Sequence, residues 1–267
     1  LGMASIHAPD YRGSGETQTE LLPLPYIKYR GERLIIDEGI EGRLFATPDL
    51  LLAISGNGSL PSSDDNKARE GMDELDASIE LGPSLEYRLQ HDQDSSIWLE
   101  LPLRFAYSVN SDMQSIGYTL NPRLAWRKPA LDKYAWKLSL TGGLLFADRD
   151  FHNYFYQVSS DEVTSERPLY VAQAGYSGFR VDFTYSRRIQ RWWLGGFIRY
   201  DDISDSEFES SPLVTDSSNW TAGIGDDGEF MFRKDVYERD TRILEGLTNE
   251  FQLSLSQDLE RQFNVGR

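Results

Sequence analysis

One alternating stretch constrains the fold of this chain more than any other feature of its sequence. In SIWLELPLRFAY, residues 96–107, every second position from Ile97 to Tyr107 is apolar. The positions between them carry Trp98, Glu100, Pro102, Arg104 and Ala106. Because neighbouring side chains of a β-strand point to opposite faces, this stretch predicts a strand with one apolar and one largely polar face. The fold must therefore give the two faces different surroundings.

The same alternation recurs along most of the chain. Strong patterns lie at residues 79–89, 116–126, 136–146 and 179–186, and weaker ones at 2–8, 22–29, 34–46, 50–56, 170–176, 192–200 and 220–225. Together they predict about 10 to 12 antiparallel strands, many with the roughly 9–11 residues that cross a bilayer at a tilt. We therefore expect an all-β fold, an antiparallel transmembrane β-barrel.

The predicted connections differ in length. RKPALDKY and SRRIQRW, at 127–134 and 186–192, are short, whereas residues 56–74 and 201–219 are long, polar and acidic. Outer-membrane barrels have short turns on the periplasmic side and longer loops outside. The contrast favours such a barrel.

A water-soluble barrel or sandwich also alternates, with its apolar face inside, and two features favour the membrane alternative. Aromatic residues sit near the ends of the apolar faces, where interfacial girdles form: Tyr107, Trp126, Trp136, Phe146, Tyr185, Trp192 and Tyr200. The other faces carry charges that are predicted to point into the lumen: Glu80, Glu86, Arg88, Glu100, Arg104, Arg123, Lys137, Arg180 and Asp182. Pairing among them would plug a narrow barrel, and the alternative is a pore for small solutes.

Composition excludes several classes of protein. The net charge of −16 argues against a nucleic-acid partner, because phosphate binding needs clustered Lys and Arg. The chain contains no cysteine, so disulfides and thiolate metal sites are ruled out. The mean hydropathy of −0.50 suits a membrane barrel as well as a soluble protein, since half of each strand faces the lumen.

We predict no catalytic, cofactor or metal site. His7, His91 and His152 are scattered, without the H-E-x-x-H spacing of a zinc site or a G-x-S-x-G nucleophile turn. A hydrolase would need a base within hydrogen-bond reach of a nucleophile, so the sequence around HNYFY calls for a search for a Ser–His pair. The acidic loop residues lack the spacing of a calcium loop and are interpreted as solvated.

Several ordered segments resemble one family. PDYRGSGE at 9–16, LLPLPYIKYRGERLIID at 21–37 and GIEGRLF at 39–45 are similar to the opening of MipA/OmpV family proteins. NYFYQV at 153–158 and SPLVTDSSNWTAGIG at 211–225 are similar to two later family segments, in the expected order. The resemblance covers about residues 1–225.

The resemblance implies a bacterial outer-membrane barrel in contact with lipid and lipopolysaccharide, without catalytic residues. It further implies a scaffold that connects a murein lytic transglycosylase with a murein synthase. A narrow porin-like channel is the alternative function, and an outer-membrane hydrolase is a third. The chain departs from the family after residue 225: we expect the barrel to span 1–232 and an atypical charged tail to occupy 233–267.

Overall fold

The computed structural model describes residues 2–24, 29–30, 34–36, 40–62, 66–110, 113–130, 135–189 and 192–227, and from 24 to 43 it describes the backbone alone. The chain divides into two units, Leu1–Gly228 and Glu229–Arg267. The second unit, and with it the predicted tail 233–267, lies outside the described residues.

The described part is built of short and long antiparallel strands and one α-helix. The first strands are β1 (Gly2–Pro9), β2 (Thr17–Leu24), β3 (Tyr29–Arg30), β4 (Leu34–Ile36), β5 (Ile40–Ala46), β6 (Leu50–Ser59) and β7 (Ser78–His91). They are followed by β8 (Ser96–Ser108), β9 (Ser115–Leu120), β10 (Arg123–Lys128), β11 (Lys137–Ala147), β12 (Gly175–Ile189), β13 (Trp192–Asp202) and β14 (Ser218–Asp227). The helix α1 (Arg149–Tyr156) lies between β11 and β12, and a 3₁₀ turn occupies Lys67–Arg69. No helix among these residues is long and apolar enough to cross a membrane.

The strands pair into one sheet that curls into a barrel. Its order is β2-β1-β14-β13-β12-β11-β10-β8-β7-β6-β5-β4-β3, with β9 between β8 and β11. A flat sheet of this many strands would be roughly 55–60 Å wide. Its two outermost strands, β2 and β3, are joined by residues 25–28, a link that spans at most about 18 Å. The sheet edges must therefore lie close together, as the predicted barrel requires.

Two predicted elements differ from the observed ones. The strand predicted at 116–126 is broken at Asn121–Pro122 into β9 and β10, because proline has no N–H for the ladder. Both pieces pair with β8 and β11 and so act as one strand. The strand predicted at 170–176 is wrong: Tyr170 forms only an isolated bridge with Val158, and β12 begins at Gly175.

The faces of the strands are inverted relative to a water-soluble barrel. The side chains of Leu101, Leu120, Leu140 and Phe183 are 37%, 38%, 47% and 36% exposed. Glu100, which precedes the exposed Leu101 on β8, is 2% exposed. The described strands therefore turn apolar side chains outward and polar ones inward, and the soluble alternative is wrong.

Aromatic pairs mark both ends of the apolar surface. At one end Phe146 lies 5.9 Å from Tyr176, measured between ring centroids, and Tyr200 lies 4.8 Å from Trp220. At the other end Trp136 lies 5.9 Å from Tyr185. The eleven residues from Trp136 to Phe146 span about 33 Å along a strand. At a tilt of about 40° this gives an apolar band about 25 Å tall, the height that outer-membrane barrels present to lipid.

The connections divide between the two ends. One end, called here the loop end, carries the three long connections 60–77, 148–174 and 203–217, together with the shorter 10–16 and 109–114. The opposite turn end carries the short connections 47–49 and 92–95, and it is also the end at which β10 precedes β11 and β12 precedes β13.

Candidate functional site

Three segments meet over the barrel interior at the loop end. We call residues 9–16, α1 and residues 203–219 the loop cluster. Its apolar centre comprises Tyr11, Leu75, Ala106, Ile116, Phe155, Tyr156, Ala172, Ile203 and Phe208, some of them supplied by neighbouring strands and loops. The rings of Tyr156 and Phe208 stack at 3.8 Å. The cluster therefore packs as a small hydrophobic core of its own.

The segment PDYRGSGE at 9–16 binds the other two segments through polar groups. The Tyr11 hydroxyl donates to the Leu213 carbonyl at 2.7 Å, and the Tyr156 hydroxyl donates to the Arg12 carbonyl at 2.9 Å. The Gly13 N–H donates to Oδ1 of Asn219 at 2.6 Å. Burial raises the pKa of Tyr11 to about 12, so its hydroxyl remains a donor at neutral pH. Segments far apart in sequence, which carry the family resemblance, are thus in direct contact.

The helix α1 begins at a well-defined cap. Oδ1 of Asp148 accepts hydrogen bonds from the N–H of Phe151 at 3.0 Å and of Tyr118 at 3.1 Å. Gly117 has φ of +122° and packs against this cap. A Cβ at position 117 would lie 2.2 Å from Oδ1 of Asp148, so only glycine fits here. The cap fixes α1 to the middle of β9.

His152 of α1 is fully buried and forms the Ser–His pair that the sequence could not place. Its Nδ1 lies 2.5 Å from the Gln173 carbonyl, and its Nε2 lies 2.5 Å from Oγ of Ser177. Since a carbonyl only accepts, Nδ1 carries the proton and Nε2 accepts from the Ser177 hydroxyl. Burial lowers the pKa of His152, which keeps the ring neutral at neutral pH.

A first network of charges lies inside the barrel between β7, β8 and β10. Glu86 and Glu100 lie directly opposite each other on β7 and β8. Nη2 of Arg127 is 2.7 Å from Oε2 of Glu86 and also contacts Glu100. Nε of Arg123 is 2.6 Å from Oε2 of Glu100. Two arginines thus neutralise a buried pair of carboxylates.

A second network lies nearer the loop end. Asp201, at the end of β13 and 2% exposed, is 2.9 Å from both Arg180 and Arg12. Nε of Arg199 is 2.6 Å from Oδ1 of Asp182. Because Arg12 belongs to the loop cluster, this network ties the cluster to the barrel wall.

A cavity of about 400 Å³ lies between the loop cluster and the barrel wall. Its charged lining consists of Asp10, Arg12, Glu80, Arg104, Arg180, Arg199 and Asp201. Glu80 accepts hydrogen bonds from Asn57 at 3.0 Å and from Thr119 at 2.7 Å. A second cavity of about 400 Å³ includes Lys137 and Trp193 in its lining. Ile6 and Phe197 line both cavities, so they lie where the two approach each other.

The structure places the predicted lumen residues in three groups. The buried ones are Glu80, Glu86, Glu100 and Arg104, and the partly buried ones in ion pairs are Arg123, Arg180 and Asp182. Arg88 instead pairs at 2.7 Å with the exposed Asp49 near the turn end. Lys137 is exposed at the start of β11. The two ion-paired networks therefore contain five of the nine predicted residues: Glu86, Glu100, Arg123, Arg180 and Asp182. Glu80 and Arg104 are buried outside these ion pairs, and Arg88 and Lys137 lie nearer the turn end.

Sequence reasoning missed four members of the networks: Arg12, Arg127, Arg199 and Asp201. Arg127 follows Arg123 by four residues, and Arg199 precedes Asp201 by two, so each falls on the polar face of its strand by simple continuation of the alternation. Asp201 begins the acidic segment 201–219, for which the sequence predicts a solvated loop. Arg12 lies in a loop, where periodicity carries no signal.

Among the residues that the structure describes, no three His, Asp or Glu side chains come together in the manner of a metal site. His7 is exposed and hydrogen-bonded to Thr19 at 2.9 Å, and His91 ends β7 at the surface. The described histidines are thus separate from one another.

Comparison with known proteins agrees with this geometry. The family model described as "MltA-interacting protein MipA" matches residues 1–226. Outer membrane protein Omp26La of Vibrio anguillarum is 25% identical over 203 residues, which cover 73% of each chain. No solved structure matches the chain. The family match covers most of the chain, and the outward apolar band and the ion-paired interior agree with it. The chain therefore belongs to the MipA family of outer-membrane β-barrel proteins.

Proposed function

We propose that this protein is a non-enzymatic scaffold of the outer membrane, with a barrel that does not conduct solutes. One observation carries the proposal: the interior holds two ion-paired networks and is covered at the loop end by a packed loop cluster. A general pore needs a continuous water-filled lumen, and these side chains occupy it. Under this proposal, the surfaces that bind partner proteins lie at the two ends of the barrel.

The proposed partners are enzymes of murein turnover. The family description names an interaction with MltA, and the resemblance implies a murein lytic transglycosylase and a murein synthase. The turn end of an outer-membrane barrel faces the periplasm, where murein lies. The short turns at 47–49 and 92–95 would then be available to these enzymes. Lipid and lipopolysaccharide would surround the apolar band.

Crosslinking in intact cells tests the scaffold role. Cells that produce the full chain are treated with a short amine-reactive crosslinker, and the barrel is purified under denaturing conditions. We expect a murein lytic transglycosylase to be enriched relative to an unrelated outer-membrane barrel purified in parallel. Equal recovery with both barrels would contradict the scaffold proposal.

A narrow channel is the second candidate, because two cavities approach each other at Ile6 and Phe197. Planar bilayers distinguish it from the scaffold. Folded wild-type protein should give no stepwise current, whereas regular conductance steps would support the channel and contradict the closed interior.

The His152–Ser177 pair is the observation that would favour a hydrolase. We assign it a structural role, because His152 and Ser177 are 0% and 2% exposed and join α1 to β12. Folded protein should not hydrolyse p-nitrophenyl esters. Turnover that disappears in Ser177→Ala would contradict this assignment.

A further inference from the structure

The cavity beneath the loop cluster contains a buried cation that forms no ion pair with a carboxylate of the described residues. Arg104 on β8 is 6% exposed and lines this cavity. Its Nε donates to Oγ of Ser55 at 3.0 Å, and no carboxylate of the described residues lies within ion-pair distance of it. Glu80 is the carboxylate that acts most strongly on Arg104, but it lies beyond ion-pair distance. Burying a guanidinium without a carboxylate in direct contact is unfavourable, and an anion bound in the cavity would relieve this cost.

The neighbouring charges are already engaged. Arg180 and Arg199 form ion pairs with Asp201 and Asp182. Glu80, the carboxylate across from Arg104 in the lining, accepts from Asn57 and Thr119. Arg104 is therefore the one arginine of the described cavity lining that still lacks a carboxylate partner, and four arginines stand there against three carboxylates.

The rest of the lining is apolar or uncharged. Phe151, Phe155 and Leu145 contribute rings and aliphatic carbon, and Asn121 and Ser78 add hydrogen-bonding groups. A guanidinium binds a carboxylate through two parallel hydrogen bonds, while aromatic walls bind an apolar body. The lining thus combines an anion site with a hydrophobic one, within about 400 Å³.

We propose that this cavity binds a small organic carboxylate with an apolar body, and that Arg104 is the residue that binds its carboxylate group. The proposal does not depend on the scaffold role, because a closed barrel and a conducting one both contain the cavity. The second cavity lies next to the first, on its turn-end side, and shares the lining residues Ile6 and Phe197 with it.

Titration calorimetry on the folded, detergent-solubilised chain tests the proposal, with benzoate as the probe and benzamide as its uncharged analogue of similar shape. Wild-type protein should bind benzoate at least tenfold more tightly than benzamide. Equal affinities, or no binding of benzoate, would overturn the proposal, because either result leaves the cation without a role.

Variants then test whether Arg104 supplies the charge that binds benzoate. Arg104→Gln should weaken benzoate binding at least tenfold and leave benzamide binding unchanged, whereas Arg104→Lys should keep part of the preference for benzoate. Arg88→Gln, which removes an arginine outside this cavity, should bind like wild type. Unchanged benzoate affinity in folded Arg104→Gln would overturn the proposal, and loss of the charge preference in Arg88→Gln would do so as well.

Folding of each variant is verified by its heat-dependent shift on gels. The comparison of benzoate with benzamide on wild-type protein tests the proposal even where a variant does not fold.

Discussion

Glu86 and Glu100 face each other across β7 and β8, and Arg127 contacts both carboxylates. Like charges placed directly opposite in a sheet repel each other, so the pair depends on its arginines. This relationship explains how a barrel with a strongly acidic sequence can bury carboxylates. The ion pairs of the interior should therefore stabilise the folded barrel, and substitutions of the arginines can measure this contribution.

Removing Arg127 should destabilise the barrel. Arg127→Gln leaves two buried carboxylates sharing Arg123 alone, and we expect a loss of about 1–3 kcal/mol in the free energy of unfolding. Urea unfolding in detergent, followed by tryptophan fluorescence, measures the change. Arg88→Gln is the matched control, because its exposed pair with Asp49 should contribute less than about 1 kcal/mol. Equal losses in the two variants would refute a special role for the interior network.

A methyl group at position 117 should loosen α1. In Gly117→Ala the new Cβ would clash with Oδ1 of Asp148, the cap of the helix. We expect faster cleavage within 148–174 by a protease added to the folded protein, because the loop cluster packs on α1. Gly71→Ala is the control: Gly71 also has a positive φ of +76°, but a Cβ there meets nothing within 4 Å. If both variants are cleaved at the same rate, backbone strain rather than the contact with Asp148 explains the effect.

The loop cluster should weaken in mild acid because of His152. Burial holds the pKa of His152 below its ordinary value of 6.5, and Arg12 acts in the same direction, while the Gln173 carbonyl, Asp148 and Glu207 oppose the shift. As pH falls through about 6.5, the unfolded chain gains a proton that the folded chain does not. This contribution to stability is therefore present above that pH and is lost below it.

Protease cleavage of 148–174 at pH 7.5 and 5.5, with a protease active at both, measures this dependence. Wild type should be cleaved faster at pH 5.5, and His152→Gln should show a smaller difference between the two values. His91→Gln, at the surface end of β7, should keep the wild-type difference. An unchanged pH dependence in His152→Gln would show that another group is responsible.

Phe197 should separate the two cavities. Its ring packs so closely on Gly223 that a Cβ at 223 would lie 2.4 Å from it. Phe197→Ala should increase ion leakage across lipid vesicles, because it removes the side chain that lines both cavities. Phe183→Ala, an outward-facing phenylalanine of β12, should leave leakage unchanged. Equal leakage in the two variants would show that Phe197 is not the barrier to ions, and that the ion-paired network closes the interior instead.

The sequence predicted the strands of the barrel well where alternation is unbroken, as in β7, β8, β11 and β12. A period of two shows directly that the two faces of a strand have different surroundings. It did not predict α1, since the eight residues of this helix carry no long periodic pattern and take their stability from the cap at Asp148 and from packing. The ion pair of Arg12 with Asp201 joins residues about 190 positions apart, and only the tertiary fold brings them together.

The outward orientation of the apolar faces is the central claim, and nitroxide labelling tests it most directly. The chain has no cysteine, so single cysteines can be placed on the wild-type background without interference. Labels at Leu120, Leu140 and Phe183 of protein in lipid vesicles should collide readily with oxygen, which concentrates in lipid, and poorly with a water-soluble nickel complex. Labels at positions 49 and 92 of the turns should show the reverse preference. If the labels at 120, 140 and 183 instead meet neither reagent, those side chains are packed in a protein core, and the membrane barrel described above is contradicted.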